Sequence, residues 1–330
     1  MPAITVPLHA PEFAPGVWIQ GPELSIPGSR GRVVLVDFWE STCVNCLRTL
    51  PYLIAWQERY AKGNGRRLSI VGVHTPEFDF TARPEHVARA VAAEGIPYSV
   101  LSDPERATWQ RFANKLWPAK YLIDARGYLR YETFGEGHYA ETERFIQSLL
   151  AEAGLPGPWP EPVEPLRAED RPGAVCRPAT GEVYLGWHRG RLFTPEGYRP
   201  GEVVHHTGVP AGAEIDHPPG TFTARGAFRH EADFLETAEP GAELDLRYEA
   251  AGVNLVLEPA GEAEILLDSA PVPPELRGTD LVEREGRTIA VWERARMVRL
   301  IDGDFGAHRL RVRFSEAGVR GYAFSFSSCG

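Results

Sequence analysis

The feature that most constrains this 330-residue chain is a C-x-x-C motif placed directly after an apolar run. The run is Val33–Trp39, and the motif is Cys43-Val44-Asn45-Cys46. A short, branched and almost wholly apolar run predicts a buried strand, and the motif falls where that strand gives way to a helix. Two cysteines on the first turn of a helix can close a small disulfide loop. The motif therefore predicts a redox-active dithiol, half of a metal site or a structural staple.

The positions of the two cysteines predict different chemical roles. Unpaired backbone N–H groups and the helix dipole favour a thiolate at the helix start, so Cys43 is the predicted nucleophile. Cys46 lies one turn further in and is more shielded, so it is the predicted resolving thiol, which attacks the mixed disulfide. Arg48, near the helix start, either favours the thiolate by its charge or is a solvated helix charge.

Strand and helix patterns alternate through the first half of the chain. Strands are expected at 33–38, 68–73, 98–101, 119–123 and 128–131, and helices at 43–61, 84–93, 104–114 and 139–153. This order predicts an α/β fold, a mixed sheet with helices on both faces. Residues 155–165 contain five prolines and predict a semi-rigid linker. We therefore expect one domain at 1–154 and a second at 166–330.

The second half changes to a twofold alternation of apolar and polar residues. Strands are expected around 183–187, 244–248, 253–257, 263–267, 289–292, 298–301, 309–314 and 322–326. Turns rich in glycine and proline separate them, which predicts an all-β sandwich or jelly roll. Tyr184, Trp187 and Trp292 are either core residues of this sandwich or a platform on which sugars stack.

The residues around the dithiol resemble the active site of the thioredoxin superfamily. Asp37 lies six residues before the first cysteine, Pro51 falls within the following helix, and Trp117-Pro118 precedes the predicted hairpin. The segment inserted at 73–98 is similar to the TlpA/ResA-like branch of that superfamily. The whole chain is most similar to the soluble half of DipZ-type proteins, in which a thioredoxin-like domain precedes a carbohydrate-binding-module-like jelly roll. This resemblance rests on the segments Gly72-Val73-His74-Thr75-Pro76-Glu77-Phe78, Trp117-Pro118-Ala119-Lys120-Tyr121 and Phe134-Gly135-Glu136-Gly137.

The resemblance implies a thiol:disulfide oxidoreductase that acts on protein disulfides and needs no cofactor beyond its dithiol. It implies that a buried Asp37 has a raised pKa and relays the proton of Cys46. It also implies a cis Pro118 that helps to dock an extended substrate. Trp39 and Trp117 are expected as supporting residues. Because the membrane domain of the DipZ architecture is missing, a separate protein is expected as electron donor.

Two departures from the thioredoxin pattern leave the direction of electron flow open. Thr42 stands before the first cysteine, where thioredoxins usually carry tryptophan. Val44-Asn45 replaces the usual Gly-Pro between the cysteines, and this pair tunes the redox potential. The sequence therefore predicts disulfide exchange without choosing between reductase and oxidase.

Three alternative hypotheses compete with disulfide exchange as the function. A zinc site needs a second pair of ligands, but Cys176 and Cys329 are solitary and are expected to be free thiols. A peroxiredoxin-like peroxidase would share the fold, yet it expects threonine or serine three residues before its reactive cysteine, where Glu40 stands. In the third alternative the β domain is a ligand- or glycan-binding module and the redox domain is accessory.

A histidine-rich set in the second half invites a metal interpretation. It comprises His205, His206, Asp216, His217 and His230. Adjacent histidines on a strand point to opposite faces and do not easily reach one ion, so no metal is expected.

The bulk composition narrows the partners and the compartment. The net charge of −10 argues against a nucleic acid partner, because phosphate binding needs a basic surface. No apolar run approaches the roughly 20 residues of a spanning helix. No signal peptide is visible, so the cytoplasm is the expected compartment, with export to the periplasm if a leader was removed.

Overall fold

The chain divides into two units, Met1–Arg171 and Pro172–Gly330, and each has its own hydrophobic core. The structure is a computed structural model, and it describes residues 8–61, 67–155, 157–171, 173–174, 176–208 and 220–328. Within these ranges, no helix combines the length and the apolar character that crossing a bilayer requires.

In the part of the first unit that the structure describes, the centre is a seven-stranded mixed sheet. Its strands are β1 (Leu8–His9), β2 (Val17–Gln20), β3 (Val33–Trp39), β4 (Leu68–His74), β5 (Ser99–Ser102), β6 (Ala119–Ile123) and β7 (Tyr128–Phe134), and its α-helices are α1 (Val44–Trp56), α2 (Pro84–Ala93), α3 (Ala107–Arg111) and α4 (Tyr139–Glu152). The strand order is β1-β7-β6-β3-β4-β5-β2, with β3, β4 and β5 parallel and the other neighbours antiparallel. This topology confirms the predicted thioredoxin fold.

β3 lies in the middle of the sheet because six of its seven residues are apolar, and all seven are buried. Alternate side chains of a strand point to opposite faces. Val33 and Leu35 join the core that also contains residues of α1, α2 and α4, whereas Val34 and Val36 join the core that contains Trp109 of α3. Asp37 shares the parity of Val33 and Leu35, so it points toward the α1 side. The predicted helices on both faces are therefore present.

Two predicted helices differ from the observed ones in length. The helix expected at 43–61 is present as α1 followed by a short π-helical segment, Gln57–Ala61. The helix expected at 104–114 is shortened to α3. The carboxylate of Asp103 accepts hydrogen bonds from the N–H groups of Thr108 and Trp109, which starts the helix late, and Ala113, with φ of 50°, ends it early.

The residues predicted as a linker pack against the first unit. Glu143 of α4 is buried and accepts hydrogen bonds from Trp56 Nε1 (3.0 Å), Tyr60 Oη (2.7 Å) and the backbone N–H of Val163 (2.6 Å). One carboxylate thus joins α4, α1 with its π-helical segment, and the chain that follows α4. The division between the units falls after this segment, at Arg171.

The described residues of the second unit form eleven strands. They are β8 (Val183–Tyr184), β9 (Val203–Thr207), β10 (Phe222–His230), β11 (Leu235–Thr237), β12 (Glu243–Glu258), β13 (Gly261–Leu267), β14 (Ala270–Pro271), β15 (Leu281–Arg284), β16 (Arg287–Trp292), β17 (Arg296–Phe314) and β18 (Arg320–Ser327). All of them belong to one antiparallel sheet, and β12 pairs with β10 through its first residues and with β18 through its last. The mostly β unit agrees with the predicted fold class, whereas a jelly roll in the strict sense stays a prediction.

The two longest strands were each predicted as two shorter ones. β12 spans the segments expected at 244–248 and 253–257, and β17 spans those expected at 298–301 and 309–314. The twofold pattern is interrupted between Ala250 and Gly252, where the pairing of β12 with β17 shifts register. A bulge of this kind breaks the alternation of side chains without ending the strand.

In the second unit one prediction is wrong and one open alternative is decided. Cys176 is disulfide-bonded rather than free, because pairing depends on proximity in the fold and not on the assumed compartment; Cys329 lies outside the described residues. Trp292 is 1% exposed and its indole N–H donates to the carbonyl of Pro259, so it is a core residue and not part of a surface platform. Trp187 is 39% exposed.

Candidate active site

The two thiols of the motif meet at the start of α1. Cys43 is the residue that caps the helix, and its Sγ accepts a hydrogen bond of 3.3 Å from the backbone N–H of Cys46. Cys43 is partly exposed, whereas Cys46 is buried, and neither is in a disulfide. One sulfur is therefore open to a substrate and stabilised by a backbone donor, and the other lies behind it.

Asp37 lies below the dithiol on the side of the sheet that faces α1. It is 1% exposed, and neither carboxyl oxygen has a hydrogen-bond partner among the described residues. Burial raises the pKa of Asp37 to about 7, although the positive charge of Lys120 opposes the shift. A carboxyl with this pKa can both accept and release a proton near neutral pH.

The Cys46 thiol is a second buried titratable group of the site. Burial raises the pKa of its thiol well above the usual value, and the hydrogen bond and charge of Cys43 and the charge of Asp37 act in the same direction. A thiol in this state keeps its proton until a base removes it.

The peptide bond between Trp117 and Pro118 is cis, and Pro118 immediately precedes β6. Ala119 pairs with Phe38, so Pro118 lies at the end of the sheet where β3 leads into the dithiol loop. Trp117 and Cys43 pack against the same core. The guanidinium of Arg106 lies 5.3 Å from the centre of the Trp117 ring.

Trp39 and Arg48, the other predicted supporting residues, have structural partners. The buried ring of Trp39 meets the ring of His74 edge-on, with centroids 4.9 Å apart. Arg48 Nε donates to Glu136 Oε1 at 2.7 Å, and its terminal Nη2 donates to Glu169 Oε1. Two carboxylates therefore neutralise the guanidinium, and its charge is not free to act on the dithiol alone.

Lys120 is the main residue of the site that sequence reasoning missed. It pairs in register with Asp37 across β3 and β6, and its side chain is wholly buried. A signal was present in the sequence, since lysine occurs only three times in the chain and this one interrupts the apolar strand 119–123. Its closeness to Asp37 depends on the register of two strands far apart in sequence, which no local pattern reveals.

A second buried polar network precedes the dithiol. Glu40 accepts hydrogen bonds from the N–H and the hydroxyl of Thr42, and burial is the largest of the causes that raise its pKa to about 7. His74 Nε2 lies 3.3 Å from the N–H of Ser41, and burial lowers the pKa of His74 to about 3. The Ser41 hydroxyl also lies 3.0 Å from His86 Nε2. These contacts fix the three residues that lead into Cys43.

The histidines of the second unit do not form a metal site in the described residues, where no group of three or more His, Cys, Asp or Glu could hold an ion. His205 is exposed, whereas His206 is buried with its Nε2 2.9 Å from His230 Nε2. His230 Nδ1 accepts the N–H of Arg199, so the neutral ring carries its proton on Nε2 and donates it to His206. Asp216 and His217 lie outside the described residues.

The fold and this geometry together define a class of protein. A mixed sheet places a C-x-x-C at the start of the helix after its central strand, a buried carboxyl below it, and a cis-proline at the start of the adjacent strand. These features are typical of thioredoxin-like proteins that exchange thiols and disulfides.

Comparison with known proteins agrees with this class over both units. The family model described as Redoxin matches residues 9–145, and the one described as Thioredoxin like C-terminal domain matches 180–327. Protein DipZ of Mycobacterium tuberculosis is 34% identical over 274 residues, which are 79% of this chain and 36% of DipZ. The chain therefore spans about a third of the length of these curated relatives.

A shorter relative matches the first unit. The thiol-disulfide oxidoreductase YkuV of Bacillus subtilis is 26% identical over 36% of this chain and 77% of its own length. A crystal structure of a thiol:disulfide interchange protein from Chlorobium tepidum is 24% identical over 45% of this chain and 99% of that one, with a TM-score of 0.37. The first unit is thus similar to thioredoxin-like, TlpA/ResA-like proteins, and most of the chain is similar to DipZ.

Proposed function

We propose that this protein exchanges thiols and disulfides with protein substrates through Cys43 and Cys46. The observation that carries the proposal is the unequal pair of sulfurs at the start of α1. Cys43 is partly exposed, and its sulfur accepts a hydrogen bond from a backbone N–H. Cys46 is buried on the side of the sheet toward which Asp37 points. The exposed sulfur suits attack on a substrate disulfide, and the buried one suits release of the product.

The proposed reaction has two exchanges. The Cys43 thiolate attacks one sulfur of the substrate disulfide, and the other substrate sulfur leaves as a thiolate. Cys46 then gives its proton to Asp37 and attacks Cys43 Sγ, which closes the Cys43–Cys46 disulfide and releases the second substrate sulfur. Two electrons pass from the dithiol to the substrate, and the reverse direction oxidises a substrate dithiol. The two thiols suffice for this chemistry, and a separate protein partner would restore them.

Pro118 would contribute to substrate docking in this scheme. It has no N–H, and its carbonyl is already bonded to the N–H of Gly135 at 2.8 Å. It lies at the dithiol end of the sheet, where an extended substrate segment would run beside Cys43.

Reduction of insulin disulfides by dithiothreitol tests the proposal. The wild-type chain should accelerate the reaction, Cys43→Ser should abolish the acceleration, and Cys46→Ser should accumulate a mixed disulfide at Cys43. A parallel assay with hydrogen peroxide tests the peroxidase alternative. The proposal fails if the wild type reduces insulin no faster than Cys43→Ser, or if it consumes peroxide in preference to protein disulfides.

A further inference from the structure

An arginine lies at the same edge of the first sheet as the dithiol. The parallel strands β3, β4 and β5 all end at this edge, and the antiparallel β6 begins there. The backbone N–H of Thr75, which follows β4, donates to the carbonyl of Trp39 at 3.1 Å. Arg106, which follows β5, donates through Nη2 to the carbonyl of Pro76 at 2.7 Å. The Arg106 guanidinium is therefore held against a loop that is bonded to the last residue of β3, from which the dithiol segment starts.

The guanidinium is also held beside two indole rings. Its carbon lies 5.3 Å from the centre of the Trp117 ring and 5.9 Å from that of Trp109, and the two ring centres are 4.6 Å apart. A cation close to an aromatic ring is attracted by the negative face of the ring. Trp117 precedes the cis Pro118 and packs against the same core as Cys43. These contacts place a positive charge on the Pro118 side of the dithiol.

This charge has no acidic partner. Among the described residues, no carboxylate forms an ion pair with Arg106. The carboxylate of Asp103, three residues earlier, instead accepts two backbone N–H groups of α3. Arg48 on α1 differs in this respect, because Glu136 and Glu169 neutralise it. The positive charge of Arg106 is therefore available to an acidic group from outside the chain.

The backbone of Arg106 also points to a role for its side chain. The residue is in the left-handed region, with φ of 55° and ψ of 25°. Residues other than glycine are uncommon there, and asparagine and aspartate are among the few that adopt this conformation readily. Strained positions of this kind cluster at functional sites. The conformation also makes Arg106→Asn a suitable variant, because asparagine removes the charge without adding backbone strain.

We propose that Arg106 selects protein substrates in which an acidic residue lies within two residues of the disulfide-bonded cysteine. In the proposed function, an extended substrate segment runs beside Cys43 and Pro118. An extended segment advances by about 3.3 Å per residue, so a neighbouring side chain of the substrate would come close to Trp117 and Arg106. A carboxylate there can accept two parallel hydrogen bonds from the planar guanidinium. The inference rests on the proposed function and names a substrate class for it.

The effect should be confined to the first exchange. The acidic residue would meet Arg106 while the substrate docks, before Cys43 attacks the disulfide. The later attack of Cys46 on Cys43 takes place within the protein and does not involve the substrate's neighbouring side chains. Partly exposed ion pairs contribute modestly, so we expect a change of about two- to fivefold in the rate of the first exchange. The rate of the resolving step should stay the same.

The test uses the Cys46→Ser chain, which stops after the first exchange. Its substrates are short peptides whose single cysteine carries a thiopyridyl leaving group. They differ in one residue, which is glutamate, glutamine or lysine and either precedes or follows the cysteine. Each second-order rate constant is divided by that of the same peptide with 2-mercaptoethanol, which corrects for the intrinsic reactivity of the peptide.

In at least one of the two positions, the glutamate peptide should react about two- to fivefold faster than the glutamine peptide, and the lysine peptide more slowly than both. Adding Arg106→Asn should remove these differences, and higher ionic strength should reduce them in the parent chain. Equal corrected rates for the three peptides in the parent, or a preference that survives in Arg106→Asn, would overturn the proposal.

Two further variants control for net charge and for folding. Arg89→Asn removes one positive charge from an exposed position of α2, so it changes the net charge equally and should leave the preference for glutamate unchanged. Arg106→Lys keeps the charge but not the planar donor pair, so the preference should fall while keeping its direction. It provides the test if Arg106→Asn does not fold, and complete loss of the preference in a folded Arg106→Lys would contradict selection by charge.

Binding without chemistry separates this proposal from the proposed function. Fluorescently labelled peptides with S-methylcysteine cannot react, and their anisotropy reports their affinity for the Cys43→Ser chain. The glutamate peptide should bind about two- to fivefold more tightly than the glutamine peptide, and Arg106→Asn should remove this difference. A wild type that does not reduce disulfides would refute the proposed function, while these affinities would still decide the role of Arg106. An active wild type with equal affinities for the two peptides would refute the role of Arg106 alone.

Discussion

The two units differ in how many of their buried polar side chains lack a hydrogen-bond partner. Among the described residues, ten have a buried side-chain nitrogen or oxygen without a hydrogen-bond partner, and nine of these ten lie in the first unit. They include Asp37 and Lys120, which lie beneath the dithiol. In the second unit the acids of β12 are paired, for example Asp245 with Arg309 Nε at 2.7 Å and Glu243 with Arg313 Nε at 2.7 Å.

The cysteines follow the same division. Cys43 and Cys46 of the first unit are free, whereas Cys176 of the second unit is in a disulfide. Since buried polar groups are normally paired, groups that stay unpaired around reactive thiols indicate chemistry rather than stability. The comparison therefore supports placing the proposed reactive residues in the first unit, where Asp37 and Lys120 stay unpaired beside the dithiol.

The largest expected effect is on the resolving step. Asp37→Asn removes the base below Cys46 and should slow the release of substrate from a preformed mixed disulfide by about a hundredfold or more, as rapid-mixing kinetics would measure. The matched change in the second unit is Asp245→Asn, which should leave this rate unchanged. That variant should instead lose about 1–2 kcal/mol of unfolding free energy, because Arg309 and Arg311 lose a shared carboxylate. Equal release rates for Asp37→Asn and the wild type would remove the distinction between the units.

The residues of the site differ in how far the sequence could predict them. Asp37, Cys43 and Cys46 follow one another within a single strand–helix passage, so their arrangement is local and a short motif specifies it. Lys120 belongs to the same site only because β6 runs antiparallel to β3 in one particular register. A shift of one residue would turn its side chain to the other face, and nothing near Lys120 in the sequence encodes that register.

Prediction of the fold from sequence was limited in the same way, because it depends on patterns that are local. In the first unit, local periodicity was sufficient for the five inner strands of the sheet, because apolar runs and breakers coincide there. It did not predict the edge strands β1 and β2, which are too short to show a pattern. It divided β12 into two strands, since the bulge at Ala250–Gly252 interrupts the alternation while pairing with β17 continues. The disulfide of Cys176 was missed for a related reason, because pairing between cysteines far apart in sequence depends on the folded chain.

The disulfide of the second unit gives the next largest expected effect. Cys176→Ser should lower the unfolding free energy of that unit by about 3 kcal/mol under non-reducing conditions, because a cross-link restricts the unfolded chain. Insulin reduction should continue at the wild-type rate. Cys43→Ser is the control, since it also removes one sulfur but should change the unfolding free energy by less than about 0.5 kcal/mol. Loss of insulin reduction in Cys176→Ser would contradict a purely structural disulfide.

Acidification should stabilise the first unit through Asp37 and destabilise the second unit through its buried histidines. The pKa of Asp37 is about 7 in the folded chain and 3.8 ordinarily, so its contribution to stability is full below pH 4 and is lost as the pH rises to 7. Burial lowers the pKa of His230 from 6.5 to about 4, and that of His206 in the same direction. The contribution of His230 is full above pH 6.5 and is lost as the pH falls to 4, and that of His206 is also lost on acidification.

Single variants isolate these two contributions in denaturant unfolding at a series of pH values. Between pH 4 and pH 7, Asp37→Asn should gain roughly 3–4 kcal/mol of unfolding free energy relative to the wild type, because the asparagine cannot ionise. The penalty of His230→Asn should shrink by about 2 kcal/mol between pH 6.5 and pH 4, because the wild type loses its neutral pair. Parallel pH dependences for a variant and the wild type would show that the group titrates equally in the folded and unfolded chain.

The smallest expected effect concerns Arg48, a cation near the dithiol that is paired at the surface rather than sealed beneath it. Arg167 approaches the same two carboxylates, with distances of 3.3 Å to Glu136 and 3.5 Å to Glu169, so it can compensate for the loss of Arg48. Arg48→Met should therefore cost less than about 1 kcal/mol of unfolding free energy. Arg48→Met/Arg167→Met should cost more than the sum of the two single changes, because it leaves both carboxylates without a cation. In the Cys43→Ser background, Arg48→Met should leave the pKa of the Cys46 thiol unchanged. A clear shift would show that Arg48 acts on the thiol despite its pairing with Glu136 and Glu169.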